Sequence, residues 1–154
     1  MSSSPEGREP VRIFVSYAHE DDALRDELMT HLSLLVRQGL IAPWQDRSIR
    51  PGDDWESAID ENLEAADIIL LLVSADFMAS DYIDSKELRR ALERHDAGEA
   101  RVIPVILRPV DWESSPFGRL QAVPTDAKPV TTWPDRDEAW ADVVKSLRSS
   151  VANL

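Results

Sequence analysis

Six consecutive apolar residues, Ile68 to Val73, constrain the fold of this chain more than any other feature of its sequence. The run is far too short to cross a lipid bilayer, which takes about 20 apolar residues in a helix. It has the length of a β-strand that is covered on both faces, and such strands belong to parallel sheets. The sequence therefore predicts a central parallel strand at these positions.

Similar runs on either side of this one predict the rest of the sheet. Clear apolar runs span residues 11–16 and 101–107, and weaker ones lie at 40–44 and 129–132. The segments between them have helical spacing, so right-handed crossovers should join the strands. The five strands predict a flavodoxin-like α/β fold, a three-layer sandwich with a parallel sheet of order 2-1-3-4-5 and helices on both faces.

Four helices are expected between and after these strands. The first should bury Leu24, Leu28, Leu32 and Leu35 and end at Gly39. The second should start at Asp53 or Asp54, in a capping box that closes with Glu56, and bury apolar residues from 55 to 66. The third should start at Asp81 or Asp84 and run to Gly98, and the last should span residues 140–151. Residues 109–124 hold three prolines, which indicates a loop or a short broken helix.

Length and charge set limits on the class of protein. A chain of 154 residues fits one domain, with residues 1–10 as a disordered lead-in and 11–154 as the folded unit. The 17 basic and 29 acidic residues give a net charge of −12, which argues against nucleic acid as a partner. The chain lacks cysteine, a secretory signal and an apolar run long enough to reach across a membrane, so we expect a cytoplasmic protein without thiolate metal sites.

The predicted strand order also predicts where a ligand would bind. In such sheets ligands lie beyond the carboxyl ends of the strands where the winding reverses, here between the first and third strands. The polar segments 16–20 and 74–80 follow those two strands. Glycine-rich phosphate motifs are missing, and the strand tips carry Ser16 and Ser74 where phospho-acceptor domains hold magnesium-binding acids. The three histidines lie singly, so no metal site and no bound cofactor is expected.

Two segments near this point carry candidate functional side chains. Ser80, Tyr82 and Glu87 follow the third strand, at a spacing that lets an aromatic ring and a carboxylate overlook the predicted site. The same residues allow a structural role, because Asp84 and Glu87 have the spacing of a capping box. The polar link 44–53 carries Trp44, Asp46 and Arg47, and links of this length are often functional. Its arginines could instead pair with surface acids.

Taken in order, these segments resemble the Toll/interleukin-1 receptor (TIR) domain in the form found in bacterial immune proteins. The resemblance covers about residues 11–151. It rests on Ile13-Phe-Val-Ser-Tyr17, Asp46 with Pro51-Gly52, the strand 68–74, and Ser80-Asp-Tyr82 leading to Glu87. Where many relatives have Trp followed by Cys, this chain has Tyr82 and Ile83.

The resemblance implies a function, because many bacterial members of the family are NAD⁺ glycohydrolases. NAD⁺ would be the substrate, and the product would be ADP-ribose or a cyclic isomer of it. Glu87 would be the catalytic carboxylate, and Tyr82 would wall the nicotinamide side. The other implied contacts come from Ser16, Tyr17 and Ser80 in the pocket and from Trp44, Asp46 and Arg47 in the loop. The family also implies self-association through TIR–TIR contacts, and a sensor domain or partner that triggers it.

Two other functions remain open from the sequence. The first is a non-catalytic interaction module of the same fold, which would have no need of Glu87, Ser80 and an aromatic residue at position 82. The second is a nucleoside deoxyribosyltransferase, which also uses a carboxylate in a similar fold but cleaves nucleosides instead of NAD⁺.

Overall fold

The computed structural model describes residues 9–44, 51–52 and 54–154. The predicted lead-in over residues 1–10 therefore lies almost wholly outside the described residues. So do Asp46 and Arg47 of the loop after the second strand, and Asp53, one of the two predicted starts of the second helix.

The described residues form a parallel sheet of four strands. These are β1 (Val11–Ser16), β2 (Ile41–Trp44), β3 (Ile68–Val73) and β4 (Arg101–Ile106). Their order is β2-β1-β3-β4, and every neighbouring pair is parallel. The prediction of a parallel sheet with β1 and β3 at its centre is confirmed.

Helices cover both faces of this sheet. They are α1 (Asp22–Arg37), α2 (Trp55–Ala65), α3 (Ala75–Ala79), α4 (Lys86–Asp96) and α5 (Arg136–Ala152). Gly39 follows α1 with φ 71°, a left-handed conformation that glycine adopts without strain, as its predicted role required. Residues 109–124 form turns without a helix. In the described part of the chain, no helix combines the length and apolar character needed to pass through a bilayer.

The central strand β3 divides its side chains between two cores. Ile68, Leu70 and Leu72 pack with the inner faces of α1 and α5. The alternate residues Ile69, Leu71 and Val73 pack with α2, α3 and α4 on the other side. All six residues are fully buried, which explains why this strand is an uninterrupted apolar run.

The fifth strand predicted at residues 129–132 is wrong. Val130–Thr132 forms a 3-10 turn, and Val130 is buried in the core beside α1 and α5. Only Val123 bridges the outer edge of β4, at Val105. On that edge Val102 N donates to His95 Nδ1 at 3.0 Å and Ile106 N donates to the Val123 carbonyl at 2.9 Å. Pro104, between them, has no N–H to donate, so a full ladder cannot form there.

The start of α4 also differs from the prediction. Ser85, not Asp84, caps the helix, because its Oγ accepts a hydrogen bond from Leu88 N at 3.1 Å. The helix thus begins one residue later than the capping box required, and Glu87 occupies its second position. For α2, the predicted start at Asp54 is confirmed, because Asp54 caps the helix by accepting from Ser57 N. The predicted capping box is wrong, since the cap is Asp54 and Glu56 pairs with Lys86 at 3.0 Å.

A buried arginine fixes the position of α4 against α2. Arg94 donates from Nη1 to the carbonyl oxygens of Leu63 at 2.7 Å and Ala66 at 2.8 Å, at the end of α2. Carbonyls at the end of a helix lack the usual partners of the helix interior, and here the Leu63 carbonyl otherwise accepts only a long bond from Ala66 N at 3.4 Å among the described residues, so the guanidinium satisfies them. Because α4 is anchored at this end, its first turn and Glu87 are held at the carboxyl edge of the sheet.

Candidate functional site

A cavity of about 390 Å³ opens at the carboxyl ends of β1 and β2. Its volume is at the small end of the range for ligand pockets, enough for part of a dinucleotide. The described residues that line it come from β1 and the residue after it, from β2, from α2, from the segment between β3 and α4, and from the first turn of α4. They are Phe14, Val15, Ser16, Tyr17, Trp44, Ile59, Asp81, Tyr82, Ser85 and Glu87.

One wall of the cavity is aromatic. Trp44, the last residue of β2, stacks on Phe14 of β1 with ring centroids 5.3 Å apart and an angle of 28° between the planes. The register explains this contact, because these two residues are paired across the parallel strands. Trp44 is half-buried, so part of its ring remains available to a flat ligand.

Tyr17 lines the cavity, but its hydroxyl is engaged elsewhere. Arg25 of α1 donates from Nη1 to Tyr17 Oη at 3.0 Å, and its guanidinium carbon lies 4.6 Å from the centre of the ring. Arg25 is fully buried and also pairs with Asp22 and Asp26. This network fixes the Tyr17 ring as a wall of the cavity.

Tyr82 lines the cavity and carries a buried hydroxyl. Its ring packs against Phe77, with centroids 5.6 Å apart. The Oη atom is buried and makes no well-formed hydrogen bond with any residue that the structure describes. Burial raises the pKa of Tyr82 to about 12, the nearby Ser16 side chain opposes the rise, and the charge of Glu87 adds to it. The hydroxyl is therefore neutral at physiological pH.

Glu87 points its carboxylate into the same space. The side chain is half-buried, and it forms no hydrogen bond or ion pair within the described ranges of the chain. Its place in the first turn of α4 is favourable for a negative charge, because the helix dipole is positive there. The structure thus leaves this carboxylate available to a ligand, where the predicted capping box would have occupied it.

The charge of the cavity is negative. Asp81 and Glu87 are its acidic residues, and none of the described lining residues is Lys, Arg or His. A flat, positively charged heteroaromatic ring suits such a site, because aromatic faces and carboxylates both attract cations. Among residues 9–44, 51–52 and 54–154, no group of three His, Asp or Glu side chains is placed to hold a metal ion.

The structure brings together five of the eight predicted site residues: Ser16, Tyr17, Trp44, Tyr82 and Glu87. Ser80 does not line the cavity, because its Oγ donates to the Phe77 carbonyl at 2.6 Å and starts the turn that follows α3. Asp46 and Arg47 lie outside the described residues. Sequence reasoning missed the remaining lining residues, Phe14, Val15, Ile59, Asp81 and Ser85. Of these, Asp81 could have been predicted from the sequence, because it lies between two predicted site residues.

The tip of β3 belongs to a separate polar cluster. Ser74 Oγ donates to Asp21 Oδ2, and Arg108 donates to Asp21 Oδ1 from Nε at 3.1 Å and from Nη2 at 2.9 Å. Arg108 also pairs with Asp76 at 2.6 Å. We refer to these four residues as the Asp21 cluster. The sequence predicted that segment 74–80 would form part of the site, but the cluster engages Ser74 instead.

A larger groove, of about 790 Å³, lies at the outer edge of β4. The residues that line it include His95, Arg101, Arg119 and Lys145. They belong to α4, to β4, to α5 and to the turns between β4 and α5. None of the predicted site residues that the structure describes lies in it. The smaller cavity is the better candidate site, because it combines an aromatic wall, a buried hydroxyl and a carboxylate that has no partner among the described residues.

Comparisons with known proteins agree with this fold. The family model described as "TIR domain" matches residues 13–146. Protein y4lF of Sinorhizobium fredii is 54% identical over 142 residues, which are 92% of this chain and 44% of that protein. NAD(+) hydrolase PdTIR of Paracoccus denitrificans is 30% identical over 105 residues, 68% of this chain and 33% of that protein. The chain thus spans less than half the length of these curated relatives.

A solved structure shows the same fold. The TIR domain of the Toll-related receptor TRR-2 from Hydra magnipapillata superimposes with a TM-score of 0.57 and 20% sequence identity. The match covers 88% of this chain and 97% of that domain. At this identity the likeness concerns the fold alone.

Proposed function

Because the chain belongs to the TIR domain family, we propose that it is an NAD⁺ glycohydrolase that releases nicotinamide and forms ADP-ribose or a cyclic ADP-ribose isomer. The observation that carries the proposal is the Glu87 carboxylate, which faces an aromatic, negatively charged cavity and has no partner among the described residues. Similarity to a protein named as an NAD(+) hydrolase supports it.

The chemistry of NAD⁺ explains why one carboxylate suffices. Most glycosidases need an acid to protonate the leaving group beside a second carboxylate. In NAD⁺ the glycosidic nitrogen already carries a positive charge, so nicotinamide leaves as a neutral molecule with the electron pair of the broken bond. Positive charge then develops at the anomeric carbon of the ribose, and a carboxylate stabilises it in the transition state.

The lining residues suit the roles that this reaction requires. Glu87 binds the ribose hydroxyls and faces the developing oxocarbenium charge. Trp44 and Tyr82 contact the pyridinium ring, and Ser16 and Tyr17 close the floor of the pocket. The pyrophosphate extends toward the loop after β2, where Asp46 and Arg47 are the proposed contacts. The cavity holds the nicotinamide riboside half of the substrate.

The fate of the anomeric carbon decides the product. When water attacks, ADP-ribose forms and the proton of the water is released to solvent. When a nucleophilic atom of the same ADP-ribosyl group attacks, a cyclic isomer forms. A closed cavity that excludes water favours the second outcome, so product identity reports on access to the site.

We also propose that self-association raises the activity and that a sensor domain or partner controls it, as part of bacterial immunity against phage. A dilute monomer is then weakly active. Sedimentation analysis at the concentrations of the activity assay checks this, and full turnover by monomer would contradict it.

The test of catalysis is incubation of the purified protein with NAD⁺ at high protein concentration, with nicotinamide followed by chromatography and the second product identified by mass. We expect Glu87→Gln to lower kcat at least about a hundredfold. Glu93→Gln is the matched control, because Glu93 lies on the same helix, its side chain is 66% exposed, and it pairs with Arg90 at 3.5 Å, away from the cavity lining. It should retain the wild-type rate.

Other outcomes would favour the alternatives. If concentrated wild-type protein releases no nicotinamide, the proposal fails and the non-catalytic interaction module gains support. Cleavage of deoxynucleosides without cleavage of NAD⁺ would identify a deoxyribosyltransferase. Equal rates for Glu87→Gln and wild type would remove Glu87 from the mechanism.

A further inference from the structure

We propose that the Tyr82 hydroxyl donates a hydrogen bond to the carboxamide oxygen of the nicotinamide ring, so that Tyr82 selects the substituent on the pyridine. The inference rests on the proposed cleavage of NAD⁺ and assigns a specificity role within that site.

The hydroxyl is the unusual feature. Two buried side-chain oxygens of the described residues make no well-formed hydrogen bond, and Tyr82 Oη, which has the Ser16 side chain beside it, is the one that belongs to a cavity-lining residue. An unsatisfied buried hydroxyl costs about 1–3 kcal/mol, so proteins rarely retain one without a reason. The ring itself is well packed against Phe77, so apolar packing would be served as well by phenylalanine. The hydroxyl is therefore explained by a ligand that accepts from it.

The surroundings select the kind of acceptor. Burial keeps the hydroxyl neutral and available as a donor. A phosphate is disfavoured beside it, because Asp81 and Glu87 are negative and the described lining offers no cation. A positively charged pyridine ring suits this charge, and its carboxamide supplies a neutral oxygen acceptor.

Ser16 supports the same placement. It is buried at the carboxyl end of β1, and its side chain is close enough to Tyr82 to influence the ionisation of the phenol. The two hydroxyls therefore lie close together, and both residues line the cavity. A carboxamide offers an oxygen acceptor and an N–H donor side by side, which suits a site with two hydroxyls.

The experiment compares kcat/KM for NAD⁺ and for its thionicotinamide analogue, in which sulfur, a weak acceptor, replaces the carboxamide oxygen. Wild-type protein should prefer NAD⁺ about tenfold on account of this hydrogen bond. Tyr82→Phe should abolish the preference, because it should lower kcat/KM for NAD⁺ and leave kcat/KM for the analogue unchanged. Its melting temperature should equal or exceed that of the wild type, because the change removes an unsatisfied group.

Tyr17→Phe is the matched control. It removes the same atom from another lining tyrosine, but one whose hydroxyl already accepts from Arg25. This variant should lose stability and keep the wild-type ratio between the two substrates, whatever its absolute rate.

Each other outcome has a definite meaning. An unchanged substrate ratio in Tyr82→Phe overturns the inference and leaves NAD⁺ cleavage intact. So does a fall in melting temperature like that of Tyr17→Phe, since the hydroxyl would then have a partner in the protein. If the wild type does not cleave NAD⁺, the proposed function fails, and the inference is then tested by calorimetry, which measures Kd for NAD⁺ and for its thionicotinamide analogue. Tighter binding of NAD⁺ by the wild type that disappears in Tyr82→Phe supports the inference. Absence of binding overturns it.

Discussion

Two polar groups of residues lie at the carboxyl edge of the same sheet, and they differ in how completely their atoms are satisfied. In the Asp21 cluster, the buried carboxylate accepts from Ser74 and from two nitrogens of Arg108. In the cavity beside β1, Tyr82 Oη has no well-formed hydrogen bond and Glu87 no ionic partner within the described residues. Both groups combine a hydroxyl with a carboxylate, but only the first is complete.

This difference separates a structural role from a binding role. A buried polar network whose groups are all paired rigidifies a fold, whereas an unpaired one is costly. The Asp21 cluster ties the start of α1 to the ends of β3 and β4, and its buried carboxylate is fully engaged by Ser74 and Arg108. We propose that the cavity has groups without partners among the described residues because a ligand completes them. The switch point of the sheet is thus divided between a structural cluster and a binding site.

The largest effect that the comparison predicts is on stability. Asp21→Ala should lower the free energy of unfolding by about 3 kcal/mol, because a carboxylate only 2% exposed is removed from three donors. Urea denaturation measures this loss. Cleavage of NAD⁺ per folded molecule should stay close to that of the wild type, since Asp21 is not a lining residue.

Asp76→Ala is the internal control, because Asp76 pairs with the same guanidinium but is 41% exposed. We expect a loss below about 1 kcal/mol, as is usual for exposed pairs. The carboxylates of Asp76 and Asp21 both raise the pKa of Arg108. Because a guanidinium is charged even without such partners, the arginine stays charged in either variant. Equal losses in the two variants would show that the cluster is not organised around the buried acid.

Much of the fold could be predicted from sequence because it depends on local pattern. The bounds of β1 and β3 follow from their apolar runs, and the end of α1 from Gly39. The gathering of Tyr82 and Glu87 near the tip of β1 follows from strand order, which itself follows from the alternation of strands and helices. The false fifth strand arose because a short apolar run does not distinguish a strand from a buried turn.

Pairings over long distances in the chain were beyond sequence reasoning. Asp21 is separated from Ser74 by 53 residues and from Arg108 by 87, and no periodicity links such positions. The same limit applies to Tyr82 Oη, since an unsatisfied hydroxyl becomes visible only when all its neighbours are placed. The role of Glu87 was ambiguous for a different reason. A shift of one residue in the cap of α4 decides whether the carboxylate serves the helix or the cavity.

A smaller effect concerns alkaline pH. Tyr82 is neutral in both the folded and the unfolded chain at about pH 9, so it contributes no pH dependence there. Above about pH 10 the tyrosine ionises in the unfolded chain, while burial holds the pKa of the folded form at about 12. Ionisation therefore stabilises the unfolded chain, and stability falls as pH rises.

The loss from this residue reaches up to about 2 kcal/mol near pH 12. Urea denaturation at about pH 9 and pH 12 should show a smaller loss for Tyr82→Phe than for the wild type. Lysines and Tyr17 titrate in both proteins, so their contributions to the loss of stability cancel in the comparison. Parallel losses would mean that the phenol is solvated in the folded protein, and the contrast between the two polar groups would disappear.

A last comparison distinguishes the hydroxyls of Ser74 and Tyr82 directly. Ser74→Ala removes a donor to Asp21 and also the cap of α3, where Ser74 Oγ accepts from Phe77 N at 3.1 Å. We expect the free energy of unfolding to fall by about 1–2 kcal/mol. Tyr82→Phe removes a hydroxyl with no such partner, so it should not lower stability at neutral pH. If Ser74→Ala is no less stable than Tyr82→Phe, hydrogen bonding does not distinguish the structural group from the cavity. Atoms without hydrogen-bond partners would then no longer indicate a binding site.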